Sequence, residues 1–235
     1  MIVRGSGSSL LLITQPDHAA LAGRIMERWR TRGFPDEPRR ASVMRAIAQH
    51  DIGWSDVDEA PLVDATTGRV LDFISAPAAV RQGVWPRGVA RLSADPVTAA
   101  LVAEHACQVY SRYRTDQAWS AFFDEMTGLR DDHAHRSALP LEDLRRLYFF
   151  VRAGDLISLV FCNEWTDVQE IDGHDIQLID RGRVVVRPDP FAGAVVPFEI
   201  PAREMPARAY ASGADAAGAF HRAPVVTLAG TAAGA

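Results

Sequence analysis

Apolar residues recur every three or four positions over several long stretches of the chain. In the first stretch, about 16–32, this spacing places Leu21, Ile25 and Trp29 on one face, which predicts an amphipathic helix. The same periodicity predicts further helices at about 38–53, 95–113, 116–127 and 141–165. The chain is therefore expected to be mainly helical.

The two ends of the chain follow a different pattern. Short β-prone runs near 2–14, on either side of a Gly/Ser turn, and near 174–201 predict a small antiparallel ribbon. The expected fold is mainly α, in the α+β class: an HD-like helical bundle with this appended ribbon, in a single domain over 1–210. The Ala/Gly-rich residues 211–235 are predicted to form a disordered tail.

Two segments between the predicted helices are assigned as connections. Residues 54–94 are rich in Pro, Gly and Asp, which predicts a long loop that is functional or partly helical. A polar segment near 130–140, which carries His133 and His135, is predicted to be a second loop.

Composition restricts the chemistry that the protein can perform. All 25 basic residues are arginine, so lysine Schiff bases and lysine-dependent phosphate loops are excluded. The net charge of −5 gives no general attraction to nucleic acid or to anionic membranes. Cys107 and Cys162 are predicted to be buried free thiols, as in a reducing compartment, and no apolar run approaches the about 20 residues of a membrane span. A cytoplasmic protein with a small, anionic substrate is expected.

Four of the predicted helices place a histidine or an aspartate on the apolar face. These residues are His18, His50 with Asp51, His105 and Asp155. Any one of them alone is most simply a hydrogen-bonded core side chain. Imidazole and carboxylate together suit Fe, Mn or Zn, and the inward side chains of a bundle converge on one site. A site for one or two divalent transition-metal ions is therefore predicted.

The order His, His-Asp, His, Asp resembles the HD superfamily of metal-dependent helical proteins, most of which are phosphohydrolases. The resemblance implies that one ion is held by four residues, and that His105 takes the place of an additional histidine found in bimetallic members. The four residues are His18, His50, Asp51 and Asp155.

The sequence departs from the bimetallic pattern in one respect. Bimetallic members usually carry two histidines between the His-Asp pair and the last aspartate, and only His105 lies in a clean helical pattern. His133 or His135 could supply the second histidine, or both could be solvated residues of their polar loop. The number of ions is therefore open.

Longer strings resemble an uncharacterised bacterial domain-of-unknown-function family over about 1–210. These strings are TQPDHAALAGRIMERW, AIAQHDIGWSDVDEAP, TGRVLDF and GDLISLVFC. This second resemblance implies no particular activity.

Three acidic residues that follow the His-Asp pair are candidate catalytic groups. One of Asp56, Asp58 and Glu59 could act as a general base or bind water at the metal. Alternatively, the three residues form a solvated acidic turn at the end of the helix.

Three functions remain open on the sequence alone. The leading hypothesis is a metal-dependent hydrolase that cleaves a small phosphoester with a metal-activated water. The second is an HD-type diiron oxygenase that cleaves a C–H bond and then an adjacent C–C or C–P bond. The third is a non-catalytic, metal-stabilised domain that binds a ligand or a protein and has a closed coordination sphere.

Overall fold

The computed structural model describes residues 1–180 and 182–235. Within these residues there are seven α-helices and one seven-stranded mixed sheet, and α1, α6 and α7 pack against the sheet. The helices are α1 (Gln15–Met26), α2 (Arg40–Gln49), α3 (Ala78–Leu92), α4 (Pro96–Val109), α5 (Ser120–Arg136), α6 (Leu141–Cys162) and α7 (Gly213–Arg222). The strands are β1 (Ile2–Ser6), β2 (Ser9–Ile13), β3 (Gln169–Ile171), β4 (His174–Asp180), β5 (Arg183–Arg187), β6 (Val195–Pro206) and β7 (Val225–Gly234).

The prediction of a helical bundle with a small ribbon is wrong, because the strands form one large sheet. Their order is β1-β2-β6-β7-β5-β4-β3. Strand β7 lies between β6 and β5, antiparallel to the first and parallel to the second. Strand β7 thereby joins β1-β2-β6 to β5-β4-β3. The sequence pattern had assigned the segments of both parts to one small ribbon.

The Ala/Gly-rich end of the chain contributes α7 and β7 rather than a disordered tail. Its small residues permit close packing: a Cβ on Gly230 would lie 2.6 Å from the ring of Phe161 and 2.7 Å from that of Phe198. A composition that usually predicts disorder therefore serves here to let a strand pass over two aromatic side chains.

Several helix boundaries differ from those predicted. The irregular region contains α3, and α5 continues to Arg136 through the segment predicted to be a polar loop. The last turns of α5 are mostly exposed and carry ion pairs such as Asp132–Arg136, 3.6 Å apart. Because they are exposed, they have no apolar stripe that the sequence pattern could show. Helix α2 ends at Gln49, which places His50 and Asp51 at its C-terminal end.

A close crossing of helices sets the position of the site. Gly154 in α6 lies against α1 and α2, where a Cβ would meet Ile47 and Met26 at 2.9 Å. The missing side chain lets α6 approach both helices, and the next residue, Asp155, consequently faces the end of α2. No helix of the described residues is long and apolar enough to cross a membrane.

Candidate metal centre

Five polar side chains meet in the interior where α1, α2, α4 and α6 pack together. They are His18, His50, Asp51, His105 and Asp155, each at most 8% exposed. Two groups of three can each bring ligand atoms within 4.8 Å of one another: His18, His50 and Asp51, and His50, His105 and Asp155. The structure thus brings together every residue that the sequence pattern predicted as a metal ligand.

The imidazole of His18 is held between a hydroxyl and a carboxylate. Its Nδ1 lies 3.0 Å from Oγ of Ser158, and this hydroxyl donates to the carbonyl of Asp155 at 2.8 Å. The Ser158 hydroxyl can accept from Nδ1–H while it donates to Asp155, and Nε2 of a neutral His18 then carries the lone pair. That atom lies 2.7 Å from Oδ2 of Asp51. In this tautomer a proton or a metal cation would link Nε2 to the carboxylate; in the other tautomer, Nε2–H donates to Asp51.

His50 also places an imidazole nitrogen near carboxylate oxygens. Its Nδ1–H donates to the carbonyl of Ile47 at 2.8 Å. Its buried Nε2 has no hydrogen-bond partner in the described chain, although carboxylate oxygens of Asp51 and Asp155 lie at 3.6 and 3.4 Å. Burial by itself lowers the pKa of His50, but the two carboxylates outweigh it and raise the pKa to about 9. The site therefore attracts a positive charge at Nε2.

Asp155 and His105 complete the set of donors. Burial opposes ionisation of Asp155, but His50 and the other histidines hold its pKa at about 2. Nδ1 of His105 lies 3.1 Å from the hydroxyl of Tyr148, and its Nε2 lies 3.8 Å from Oδ2 of Asp155. Burial lowers the pKa of His105 to about 4. A neutral imidazole and an ionised carboxylate are the forms that bind metal.

These residues fit a metal ion by the chemistry of their donors. Three imidazole nitrogens and two carboxylates are a ligand set suited to first-row transition metals, although they do not single out one metal. The unpartnered Nε2 of His50, which carboxylate oxygens of Asp51 and Asp155 face, is the observation that a cation would explain. Ser158 orients His18 from behind, as hydrogen-bond partners commonly orient ligating histidines.

A small cavity of about 40 Å³ adjoins the donor atoms. Besides ligand residues, it is lined by aromatic side chains and one amide; the principal ones are Gln15, Trp54, Phe73, Trp85 and Tyr110. Val109 also lines it and is 41% exposed, so the cavity reaches the surface on the side of α4. The walls are thus mainly apolar next to a charged cluster.

The three acidic residues predicted as catalytic candidates do not line this cavity. Asp56 lies on the surface and accepts two hydrogen bonds from Arg91, at 2.7 and 2.9 Å. Glu59 is exposed. Asp58 is buried and accepts from the amino group of Met1 at 2.7 Å. All three lie outside the lining of this cavity, and their catalytic role stays a prediction.

The two histidines of the predicted polar loop also lie outside the ligand groups. His133 and His135 both belong to α5. His133 is buried and lies 3.2 Å from a guanidinium nitrogen of Arg136, whereas His135 is exposed. Neither belongs to a metal-ligand group of the described chain.

Sequence reasoning missed two residues that contact the cluster. Gln15 lies three positions before His18, and Ser158 three positions after Asp155, so each shares a helical face with a ligand. A glutamine or a serine three positions from a predicted ligand, on the same apolar helical face, is the sequence pattern that indicates them.

Fold and site together define an α+β protein in which a buried His/Asp cluster could hold a metal ion. The chain belongs to the family described as "Protein of unknown function (DUF3891)", whose model matches residues 1–207. No curated protein and no solved structure gives a significant match to the chain.

Proposed function

We propose that this protein is a metal-dependent hydrolase, with a small phosphoester as its substrate. The observation that carries the proposal is the unpartnered Nε2 of His50, buried between Asp51 and Asp155. Without a metal this nitrogen takes up a proton, since the two carboxylates raise the pKa of His50 to about 9. A divalent cation in place of that proton would offset the charge of both carboxylates. The phosphoester is inferred from the likeness of the ligand order to the HD superfamily.

The geometry favours one ion rather than two. Both ligand groups include His50, and its Nδ1–H is already bonded to the carbonyl of Ile47. Only Nε2 is left, and one lone pair binds one cation. His18, His50, Asp51 and Asp155 would hold this ion, with His105 as a further ligand or a contact to the substrate.

A divalent ion at this position would supply a lowered water pKa and polarise the bond to be cleaved. The chain itself contributes the other requirements. Ser158 and Ile47 fix the orientation of His18 and His50 through hydrogen bonds of 3.0 and 2.8 Å. Trp54, Phe73 and Trp85 give the cavity mainly apolar walls, which would strengthen electrostatic interactions inside it.

The proposal is tested by metal content and turnover together. Freshly purified protein is analysed for metals, and a panel of phosphoesters is assayed with Zn²⁺, Mn²⁺ or Fe²⁺. We expect one ion per chain, and loss of both the ion and turnover in His50→Ala and Asp51→Ala. His174→Ala is the matched control, because His174 is buried with an unpartnered Nδ1 but packs against Trp29 and Phe149.

The outcome that contradicts the proposal is turnover retained by a folded His50→Ala protein. Folding is checked separately by circular dichroism and urea unfolding. A protein that binds one ion in a closed coordination sphere, with no turnover on any ester, would instead be the metal-stabilised binding domain.

A diiron oxygenase is the second candidate. The small size and aromatic lining of the cavity favour it, but it needs a second ion beside the one that Nε2 of His50 can bind. A volume of about 40 Å³ suits a ligand as small as dioxygen. Two Fe per chain and substrate-dependent oxygen consumption would establish this activity. One Zn or Mn per chain with ester cleavage would reject it.

A further inference from the structure

The carboxamide of Gln15 is a polar group of the cavity that the ligand set does not use. Gln15 is 1% exposed, and its Oε1 has no hydrogen-bond partner among the described residues. Gln15 lines the cavity together with His18 and Asp51. Because buried polar atoms are normally hydrogen-bonded, this oxygen indicates that a further group binds beside it. An amide oxygen only accepts hydrogen bonds, so that group must carry an O–H or an N–H.

The size of the cavity restricts this donor to a very small molecule. A water molecule needs about 10–15 Å³ of cavity volume, so the space of about 40 Å³ holds no more than a few waters. An ionised phosphoryl group would also present only acceptor oxygens to Oε1. The donor that the cavity fits is therefore water, and the substrate of the proposed hydrolase approaches from the open side at Val109.

Two contacts at the start of α1 hold Gln15 in place. Its N–H donates to Oδ2 of Asp58 at 2.6 Å. Gln15 is also the first residue of α1, and the side chain of Thr14 caps this end of the helix. His18 follows three positions later and therefore lies on the same side of α1. The carboxamide thus has a defined position relative to a candidate ligand, as a group that orients a water beside the ion must have.

A neutral acceptor suits a water that must lose a proton. The cluster already contains the carboxylates of Asp51 and Asp155, and a third negative charge would oppose the ionisation of a nearby water. The carboxamide of Gln15 accepts a hydrogen bond without adding charge. It does not take up a proton at neutral pH, so Gln15 can orient the water but cannot act as its general base.

We propose that Gln15 accepts a hydrogen bond from the nucleophilic water of the hydrolase and orients that water for attack. This inference rests on the proposed function, since it assumes a hydrolytic water beside an ion. In hydrolysis, the water oxygen bonds to phosphorus as the bond from phosphorus to the alcohol oxygen breaks. One proton of the water passes to the alcohol, and the other stays on the new phosphate oxygen. Gln15 accepts from the O–H that keeps its proton, which turns the lone pair of the water towards phosphorus.

A crystal structure of the Zn²⁺-loaded protein tests the position of the water. We expect an ordered water about 2.5–3.0 Å from Oε1 of Gln15, the usual distance for a hydrogen bond between oxygens. The inference is overturned if Oε1 binds the ion directly or accepts from a protein group. It is equally overturned if no water lies within hydrogen-bond distance of Oε1.

The ionisation of the water gives a readout that a purely structural glutamine would not change. In Co²⁺-loaded protein, visible absorption measured against pH reports the loss of a proton from water at the ion. Gln15→Glu keeps the shape of the side chain and places a carboxylate beside that water. We expect the midpoint to rise by about one pH unit or more, because a nearby negative charge disfavours the loss of a proton. An unchanged midpoint would overturn the inference.

Gln169→Glu is the matched control for the added charge. Gln169 lies on β3, outside the lining of the described cavity, and its amide donates to the carbonyl of Asp167 at 3.2 Å. Its substitution changes the net charge of the protein by the same amount. The midpoint of the Co²⁺-loaded protein should not move, because solvent and salt screen a distant charge.

Gln15→Met removes the acceptor without adding charge. We expect one ion per chain to be retained and KM to change less than about twofold, while kcat falls about tenfold, the effect of one neutral hydrogen bond to the reacting water. Loss of the ion would make Gln15 a ligand, and an unchanged kcat would show that the water does not depend on it. Either result overturns the inference.

Failure of this inference is distinguishable from failure of the proposed function. A protein that binds no ion, or that binds an ion and cleaves no ester, contradicts the hydrolase and with it this inference. A protein that cleaves esters but has no water at Oε1 contradicts only the role of Gln15. The crystal structure uses the unsubstituted protein, so this outcome does not depend on the folding of a variant.

Discussion

Asp58 accepts a hydrogen bond of 2.6 Å from the backbone N–H of Gln15, across 43 positions of the chain. The other carboxylate oxygen of Asp58 accepts from the amino group of Met1 at 2.7 Å. Burial raises the pKa of Asp58 despite these favourable contacts. A residue that the sequence suggested as a catalytic base thus fixes the start of α1, the helix that carries His18.

Replacement of Asp58 should therefore reduce stability. In Asp58→Ala, a buried ammonium group and a backbone N–H lose their partner, and we expect a loss of about 3 kcal/mol in the free energy of unfolding. Urea denaturation measures this loss. Asp56→Ala is the control, because its ion pair with Arg91 is exposed and should contribute less than about 1 kcal/mol. Equal effects of the two substitutions would contradict this account.

The glycine before Asp155 should be intolerant of any side chain. In Gly154→Ala, the new Cβ meets Ile47 and Met26 at 2.9 Å, so we expect a cost of about 1–3 kcal/mol from overpacking. A shift of α6 would also separate Asp155 from His50 and weaken metal binding, which is measured by metal titration. Gly128→Ala in α5 meets no atom within 4 Å and should be neutral or stabilise by up to about 1 kcal/mol.

The hydroxyl behind His18 should affect metal affinity more than stability. Ser158→Ala removes the acceptor of Nδ1–H, so the ring of His18 loses its fixed orientation. We expect metal affinity to fall by about 10–100-fold, as for other partners of ligating histidines. The control is Ser137→Ala, since Ser137 donates to the carbonyl of His133 at the end of α5. A Ser158→Ala protein with wild-type affinity would show that the hydroxyl does not orient the ligand.

The ion pair at the start of α7 should be visible in the pH dependence of the protein. Two hydrogen bonds of 2.9 Å from Arg208, together with one from the backbone of Ala211, lower the pKa of Asp215 to about 2. A folded-state pKa below the unfolded value of 3.8 contributes stability above about pH 4. That contribution is lost as the pH falls through 3.8 towards 2.

Carboxyl ¹³C chemical shifts measured against pH report this titration directly. We expect a midpoint near 2 for Asp215 in the intact protein and a rise towards 3.8 in Arg208→Gln. If the midpoint is unchanged in Arg208→Gln, another group causes the lowered pKa of Asp215.

Local patterns in the sequence were sufficient to identify most helices and the residues of the candidate metal centre. A histidine or an aspartate on an apolar helical face is informative because burial of an unpaired polar group is costly. Each of His18, His105 and Asp155 could be recognised from its neighbours three and four positions away. The pattern also indicated that α1, α4 and α6 are buried, although it predicted one buried face for α4, which is buried on every side from Val97 to Cys107.

Only the tertiary structure decided which groups meet. The Ala/Gly-rich β7 lacks the bulky residues typical of strands, and its place in the sheet depends on contacts with Phe161 and Phe198. The bond between Asp58 and Gln15, and the unpartnered atoms of Gln15 and Trp85, arise between distant segments. Sequence periodicity encodes whether a side chain is buried, but not which partner it finds. The sequence by itself therefore determined the chemistry of the candidate ligands, and the fold determined their arrangement.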